Sequence, residues 1–363
     1  MNFDHPLTFT PLYKHRIWGG RLLEQKLGRH LPADTLIGES WEIVDRPDDQ
    51  SVVADGPLAG ITLHELWTEH RTAVFGEGAP DSPRFPLLAK ILDAKEKLSV
   101  QVHPPAQVAA QMNAGRQLVG VDVGVAASAG SQSLCDPKDS EGAQRASGPP
   151  KGGTPTDRTP TEPVAEPKTE MWYLLDAEPD AELFVGFRNG VTRDSFAASL
   201  KTGACAELLH RIPVRQGDFI FIPSGRCHAI GAGCFIIEIQ QNSDTTYRVF
   251  DWNRTDASGK PRELHIDESL RSMDFNDHEP ALDRADGETL VSCDYFRVDR
   301  WTLRGPRRDD EAIGSIFTVV EGSVRCGGRE FRRGDFFLLP ACAADRTITP
   351  ASEVATLLRS AAV

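Results

Sequence analysis

Four residues of this chain have the types and spacing of a metal centre. Gln101 and His103 stand two apart in the alternating run Leu98-Ser99-Val100-Gln101-Val102-His103, so on a strand both side chains leave from one face. His228 follows Pro223-Ser224-Gly225, a tight turn that can aim it inward. Glu170 opens the apolar stretch Met171–Leu175, where an inward, unpaired carboxylate would be costly and a bound cation would remove the cost. Two imidazoles, a carboxylate and an amide oxygen form an N/O donor set suited to Zn²⁺, with room left for water or a substrate. Either histidine alone reads more simply as a surface or satisfied core residue; the set carries the specificity.

The elements that must position these residues read mainly as β. Pro86–Leu92, Leu98–His103, Met171–Leu175, Glu182–Gly186 and Gly233–Ile239 are short apolar or alternating runs punctuated by Gly and Pro, a pattern of β-sandwiches and jelly rolls. Leu63–Trp67 reads as the start of a short helix, and Thr192–Lys201 as another with Thr192 as its N-cap. Gly217-Asp218-Phe219-Ile220-Phe221-Ile222-Pro223 recurs as Gly334-Asp335-Phe336-Phe337-Leu338-Leu339-Pro340. Two copies of one β-unit imply two jelly rolls in tandem. The first copy is followed by His228, the second by Ala341-Cys342-Ala343-Ala344-Asp345 without a histidine. One barrel is therefore expected to be functional and the other structural, over residues 1–275 and 276–363.

Between His103 and Glu170 the composition changes. Asn113 to Thr169 has no Phe, Tyr or Trp and is rich in Gly, Pro, Ser, Thr and Ala. Such a segment buries too little apolar surface to offset its ordering entropy, so residues 115–166 are expected to be a flexible insertion. The 363-residue chain carries a net charge of −13, which speaks against nucleic acid as a partner but not against a small anion held by a few local cations. Seven cysteines with no CxxC pair argue against a zinc ribbon or a disulfide framework and fit a reducing cytoplasm. No signal-peptide core and no apolar run of membrane-spanning length are visible, so no membrane association is expected.

Three runs resemble the metal-ligand motifs of class I mannose-6-phosphate isomerases: Gln101-Val102-His103-Pro104, Lys168-Thr169-Glu170-Met171-Trp172-Tyr173 and Pro223-Ser224-Gly225-Arg226-Cys227-His228-Ala229. Glu238 to Arg248 resembles the family's active-site strand and its essential arginine. Ile17-Trp18-Gly19-Gly20, Gly38-Glu39-Ser40-Trp41-Glu42 and Pro261-Arg262-Glu263-Leu264-His265 add to the likeness, which spans nearly the whole chain outside the insertion and is nearest the short bacterial branch. The run His103-Pro104-Pro105 departs from the family's His-Pro-Asp.

The resemblance implies two tandem cupin-like jelly rolls, with a catalytic first barrel and a metal-free second one. It implies one Zn²⁺ per chain on Gln101, His103, Glu170 and His228, and a small sugar phosphate as substrate. Arg248 would be the active-site cation and Glu238 the proton-transfer base. Lys90, Ser99 and Lys168 would contact phosphate or sugar hydroxyls, Lys168 also serving the catalysis, with Asp244 at the substrate. Arg248 could instead be an ion-pair partner of Asp244 or Asp251. The chemistry is consistent: moving a proton between C1 and C2 through a cis-enediol needs a carboxylate and a cation to hold oxygen charge. An isomerase of another sugar phosphate, or a non-catalytic cupin that binds metal or sugar, is the alternative; a full ligand set with Arg248 speaks against the second.

Overall fold

The computed structural model describes residues 1–125, 164–255 and 259–363. Met1–Ala106 and Glu166–Val363 form one compact unit. Its strands make four antiparallel sheets in two pairs. In the first pair are β1 (Leu12–Gly20), β2 (Ile37–Ile43), β3 (Leu87–Ala94), β4 (Val100–Val102), β5 (Glu170–Ala177), β6 (Glu182–Phe187), β7 (Leu209–Pro213), β8 (Phe219–Ile222), β9 (His228–Ile230), β10 (Cys234–Gln241) and β11 (Tyr247–Phe250). They assemble as β1-β2-β3-β10-β5-β8 facing β11-β4-β9-β6-β7. The second pair holds β12 (Thr289–Ser292), β13 (Phe296–Leu303), β14 (Arg307–Arg308), β15 (Ser315–Glu321), β16 (Ser323–Cys326), β17 (Arg329–Arg332), β18 (Phe336–Leu339), β19 (Thr347–Pro350) and β20 (Ala355–Ala362). Their orders are β12-β13-β20-β15-β18 and β14-β19-β16-β17.

Strand alternation sorts the core into layers. On β3, β5 and β10, Ala89, Ile91, Met171, Ile237 and Ile239 turn outward and pack with Phe296, Val298, Ile316 and Leu358 of the second pair. The alternate residues Leu92, Trp172, Leu174 and Ile236 turn inward and meet Leu183, Ile212 and Ile230 of the facing sheet. Each such Leu or Ile, fully buried, contributes about 1.5–3 kcal/mol. Trp301, Phe317, Val324, Phe337 and Leu357 fill the second pair in the same way.

The sequence repeat is a structural one. Gly217 and Gly334 both have φ +88°, which a side chain would strain. The Asp after each glycine accepts the backbone N–H three residues before it, Arg215 N–H onto Asp218 at 2.9 Å and Arg332 N–H onto Asp335 at 2.7 Å. Gly217 N–H donates to Leu174 O and Gly334 N–H to Val319 O, so both turns grip the equivalent neighbouring strand.

The expected helices form. Leu63–Glu69 starts at Thr62 with a capping box to Glu65, and Arg193–Leu200 starts at Thr192, whose hydroxyl accepts from Ser195 N–H. Gln107–Ala165 form a second unit, which holds nearly all of the expected insertion. Helix Ala106–Val125 runs into the start of that insertion, because Ala, Gln, Met and Leu favour helix whether or not aromatic residues are present. Asn113 closes this unit, donating to Ala165 O and accepting from Ala165 N–H, both at 2.9 Å. The remainder of the anticipated flexible insertion, residues 126–163, lies outside the described residues.

Candidate active site

The expected site residues meet between the two sheets of the first pair. Across the smaller sheet, Arg248, Gln101 and His228 lie in one row, Gln101 pairing with Arg248 of β11 on one side and His228 of β9 on the other. Across the larger sheet the row is Trp41, Lys90, Glu238 and Trp172. Glu170 starts β5 in the same sheet, paired with Gln240. His103 follows β4, and its carbonyl accepts from Gly225 N–H at 2.8 Å, which ties the turn before His228 to the strand carrying Gln101. Gly225 has φ +94°, and a Cβ there would meet Pro105 at 3.3 Å.

His103, Glu170 and His228 are fully buried, and their ligand atoms lie within 4.8 Å of one another. Each imidazole is oriented by a carbonyl: His103 Nδ1 is 2.8 Å from Thr245 O and His228 Nδ1 is 2.9 Å from Arg226 O. A carbonyl can only accept, so both Nδ1 atoms carry the proton and both Nε2 lone pairs face inward. Each Nε2 is 3.6 Å from an oxygen of Glu170. His103 Nε2 and both Glu170 oxygens lack a hydrogen bond of acceptable geometry, although Lys168 Nζ stands 2.6 Å from Glu170 Oε2 as an ion-pair partner. Buried, orphaned acceptors converging on one point are what a divalent cation would satisfy, and two imidazoles with a carboxylate suit Zn²⁺. Gln101 Nε2 is 3.3 Å from His228 Nε2; a half-turn of the amide would present its oxygen to the same point.

Electrostatics keep these donors ready. Burial, then the Lys168 ammonium, lowers His103 to about 4, and burial lowers His228, so both rings are neutral at physiological pH. Burial alone would raise Glu170, but the Lys168 ammonium outweighs it and holds the carboxyl well below the usual range. For Lys168, burial opposes the charge and the carboxylates of Glu170 and Glu238 overcome it, so its pKa is raised.

Glu238 stands beside this group. It accepts from Trp172 Nε1 at 3.0 Å, pairs with Lys90 at 2.8 Å, and has Lys168 Nζ at 3.5 Å. Arg248 Nε donates to Ser99 Oγ at 3.2 Å and Nη1 to Glu263 O at 3.0 Å. Among the described residues Arg248 forms no ion pair. Asp251 is taken by Arg254 and Arg262 at 2.5 and 2.6 Å, and Asp244 is exposed, so the ion-pair alternative for Arg248 is not realised.

Lys90, Ser99, Gln101, Lys168, Glu238, Asp244 and Arg248 all line one cavity of about 470 Å³. Arg16, Trp18, Glu39, Arg262 and His265 line it too. Sequence reasoning gave these five no role, although all but Arg16 lie in runs that resembled the family, and Arg16 directly precedes such a run. A second cavity of about 470 Å³, lined by Arg188, Glu207, His210 and Arg211, contains none of the expected site residues.

The chain is 35% identical over 347 residues to the mannose-6-phosphate isomerase ManA of Bacillus subtilis, covering 92% of this chain and 93% of that one. It belongs to the mannose-6-phosphate isomerase family. Residues 7–118 match the catalytic domain of type I phosphomannose isomerases. A mannose-6-phosphate isomerase of Streptococcus mutans is 32% identical, with 92% of each chain covered. The crystal structure of the Bacillus subtilis mannose 6-phosphate isomerase superposes with a TM-score of 0.75 at 32% identity, over 98% of this chain and 99% of that one. A mannose 6-phosphate isomerase solved with zinc and yttrium, 16% identical with a TM-score of 0.69 over 99% of each chain, has the same fold.

Proposed function

We propose that this chain interconverts mannose 6-phosphate and fructose 6-phosphate through a cis-enediol, using one Zn²⁺ held by His103, Glu170, His228 and Gln101. The observation that carries the reading is the trio of orphaned, buried acceptors on His103 and Glu170, with Gln101 and Lys168 between that group and the cavity that also holds Glu238 and Arg248. The mannose-6-phosphate isomerases among its relatives point to the substrate, and a solved relative with bound zinc supports the choice of metal. A bound Zn²⁺ supplies Lewis-acid polarisation of sugar oxygens.

The chain's own residues do the rest. Glu238 removes the proton from C2 of the open-chain aldose and returns it to C1. Lys90 and Trp172 fix its carboxylate against the sugar. Among the described residues Arg248 forms no ion pair, so its guanidinium can meet the oxygen charge that develops as the C–H bond breaks. Ser99 holds Arg248 by its Nε. Lys168 sits 2.6 Å from Glu170 and 3.5 Å from Glu238, where it steadies both carboxylates and can donate to a sugar oxygen. Lys90, Ser99 and Asp244 contact sugar hydroxyls.

In this reading residues 1–275 are the catalytic cupin domain and 276–363 a metal-free cupin-like domain. A reducing cytoplasm is the compartment, in keeping with the free state of the six described cysteines. Among the described residues no helix is long and apolar enough to cross a membrane. The deciding experiment is an assay with mannose 6-phosphate on metal-analysed protein before and after chelation. Activity that follows zinc content supports the reading; full turnover without metal, or none with it, defeats it.

A further inference from the structure

The two imidazoles of the His103–Glu170–His228 group are oriented by different means. His228 Nδ1 donates to Arg226 O, two residues back in its own turn, and the Arg226 side chain is gripped by Asp277 at 2.8 and 3.0 Å. His103 Nδ1 donates to Thr245 O at 2.8 Å, a carbonyl 142 residues further along the chain. Thr245 lies in the link between β10 and β11, so the chain next to His103 does nothing to fix that carbonyl. Contacts across the fold fix it instead. Thr245 Oγ1 accepts from Glu166 N–H at 3.0 Å, and Thr245 N–H donates to Ser243 Oγ at 3.2 Å. Arg46 joins the two sides of this arrangement. Its Nη1 stands 3.0 Å from Glu166 Oε2 and donates to Asn242 O at 2.7 Å. Arg46 is itself held at its backbone, where its N–H donates to Asp49 O and its carbonyl accepts from Gln50 Nε2 at 2.6 Å. The Asp45 carbonyl beside it accepts from Asn242 Nδ2, also at 2.6 Å.

We propose that Arg46 is a positioning residue for the metal group, holding Glu166 and Asn242 so that the Thr245 carbonyl keeps the His103 proton on Nδ1 and its Nε2 lone pair turned to the metal. The inference rests on the proposed zinc reading and adds what aims one of its histidines. A ring that loses its carbonyl partner is released to turn or to adopt the other tautomer, and a metal then has to order it on binding. The Arg46–Glu166 pair is 21% and 41% exposed at the side chains. Ion pairs so open to solvent add little to stability, so its loss is felt in the aim of His103 more than in the folding of the chain.

The test uses the full chain and its Arg46→Met, Arg46→Lys and Thr245→Val variants. Zinc affinity is measured by competition with a chromophoric chelator. The His103 tautomer is read from histidine side-chain nitrogen spectra of the metal-free chain, assigned by the signal lost in His103→Gln. Arg46→Met should weaken zinc binding about tenfold or more, as loss of the outer partners of a ligating histidine does. Thr245→Val, which keeps the branched shape and removes the hydroxyl, should do the same. The double variant should be little worse than either single one, since both break one path. Arg46→Lys should recover part of the loss, because an ammonium still reaches one of the two acceptors. The His103 signal should move from the Nδ1–H form toward a mixture of tautomers, while that of His228 stays. Unchanged zinc affinity and an unchanged His103 tautomer in Arg46→Met, even with a lowered urea midpoint, overturn the proposal, as does an equal disturbance of His228. If Arg46→Met does not fold, Arg46→Lys and Thr245→Val decide by the same two readings. If the parent binds no zinc, the zinc reading falls, while the tautomer still judges Arg46.

Discussion

Lys90 and Glu238 face each other across β3 and β10 at 2.8 Å, and the second pair of sheets carries the same ion pair with its charges exchanged, as Asp299 and Arg359. The equivalence follows from register. Glu238 pairs with Lys90 and Trp172, and Trp172 with Ile220; Arg359 pairs with Asp299 and Phe317, and Phe317 with Phe337. Ile220 and Phe337 are the same position of the sequence repeat. By the same register Ser315 stands where Glu170 would be, since Glu170 pairs with Ile222 and Ser315 with Leu339.

In the second pair, then, ion pairs occupy the interior where the first pair has its cavity. Arg359 reaches Asp309 at 3.1 Å and Glu311 at 3.0 Å, and Arg346 also pairs with Asp309. Arg359 and Asp309 are 1% and 2% exposed. Arg359→Met should destabilise the protein by about 1–3 kcal/mol, because it removes one cation from a buried network in which Asp309 keeps Arg346 and Asp299 keeps Arg297. Urea unfolding checks the loss, and kcat per folded molecule should stay near the parent's.

Loss of the metal should be visible without an assay. His103→Ala or His228→Ala should lower zinc content on elemental analysis, and added zinc should no longer raise the melting temperature as it does for the parent. Arg248→Ala should leave zinc content intact, since Arg248 contacts Ser99 and Glu263 rather than the His103–Glu170–His228 group.

Arg248→Ala should lower kcat by roughly 10²–10³ with a smaller change in KM, as removal of a donor to a developing oxyanion does. Arg248→Lys should recover only part, because an ammonium lacks the planar fork. Ser99→Ala should cost a few-fold in kcat by loosening the Arg248 side chain. A steep rise in KM at constant kcat would instead make Arg248 a ground-state anchor.

Asp93 sets a pH dependence of stability away from the metal group. Burial raises its pKa from 3.8 to about 6, against the opposing hydrogen bond from Leu22 N–H at 2.6 Å. Between those two values the folded state binds the proton more tightly than the unfolded chain, so this group's contribution rises as pH falls from about 6 to about 4. The span amounts to roughly 3 kcal/mol. Asp93→Asn should stabilise the protein at pH 7 and flatten that part of the profile, as followed by urea midpoints across the range.

Replacing residues 126–163 by a short Gly/Ser linker should keep solubility, zinc content and most turnover, because loop-closure entropy changes slowly with length. The cut must stop before Glu166, whose carboxylate pairs with Arg46 at 3.0 Å and whose N–H donates to Thr245 Oγ1 at 3.0 Å, two residues from Lys168. Collapse of expression in the shortened chain would show that the replaced segment supports the fold.

The sequence by itself determined what depends on neighbours along the chain. Alternation placed Gln101 and His103 on one face, the turn at Gly225 preceded an inward His228, Thr192 capped its helix, and the Gly217 and Gly334 repeats announced two like barrels. Only the tertiary structure decided which distant residues would meet. Lys90 and Glu238 are paired because β10 lies beside β3 rather than beside its sequence neighbours, and Asp251 falls to Arg254 and Arg262, which releases Arg248. Arg16, Glu39 and Arg262 join the cavity from both ends of the first barrel's chain; Glu39 and Arg262 lie in family-like runs, but nothing local shows that they share a wall with Glu238. The physical reason is that periodicity reports which face of a strand a side chain leaves, whereas strand order and burial decide whose charge it will find there.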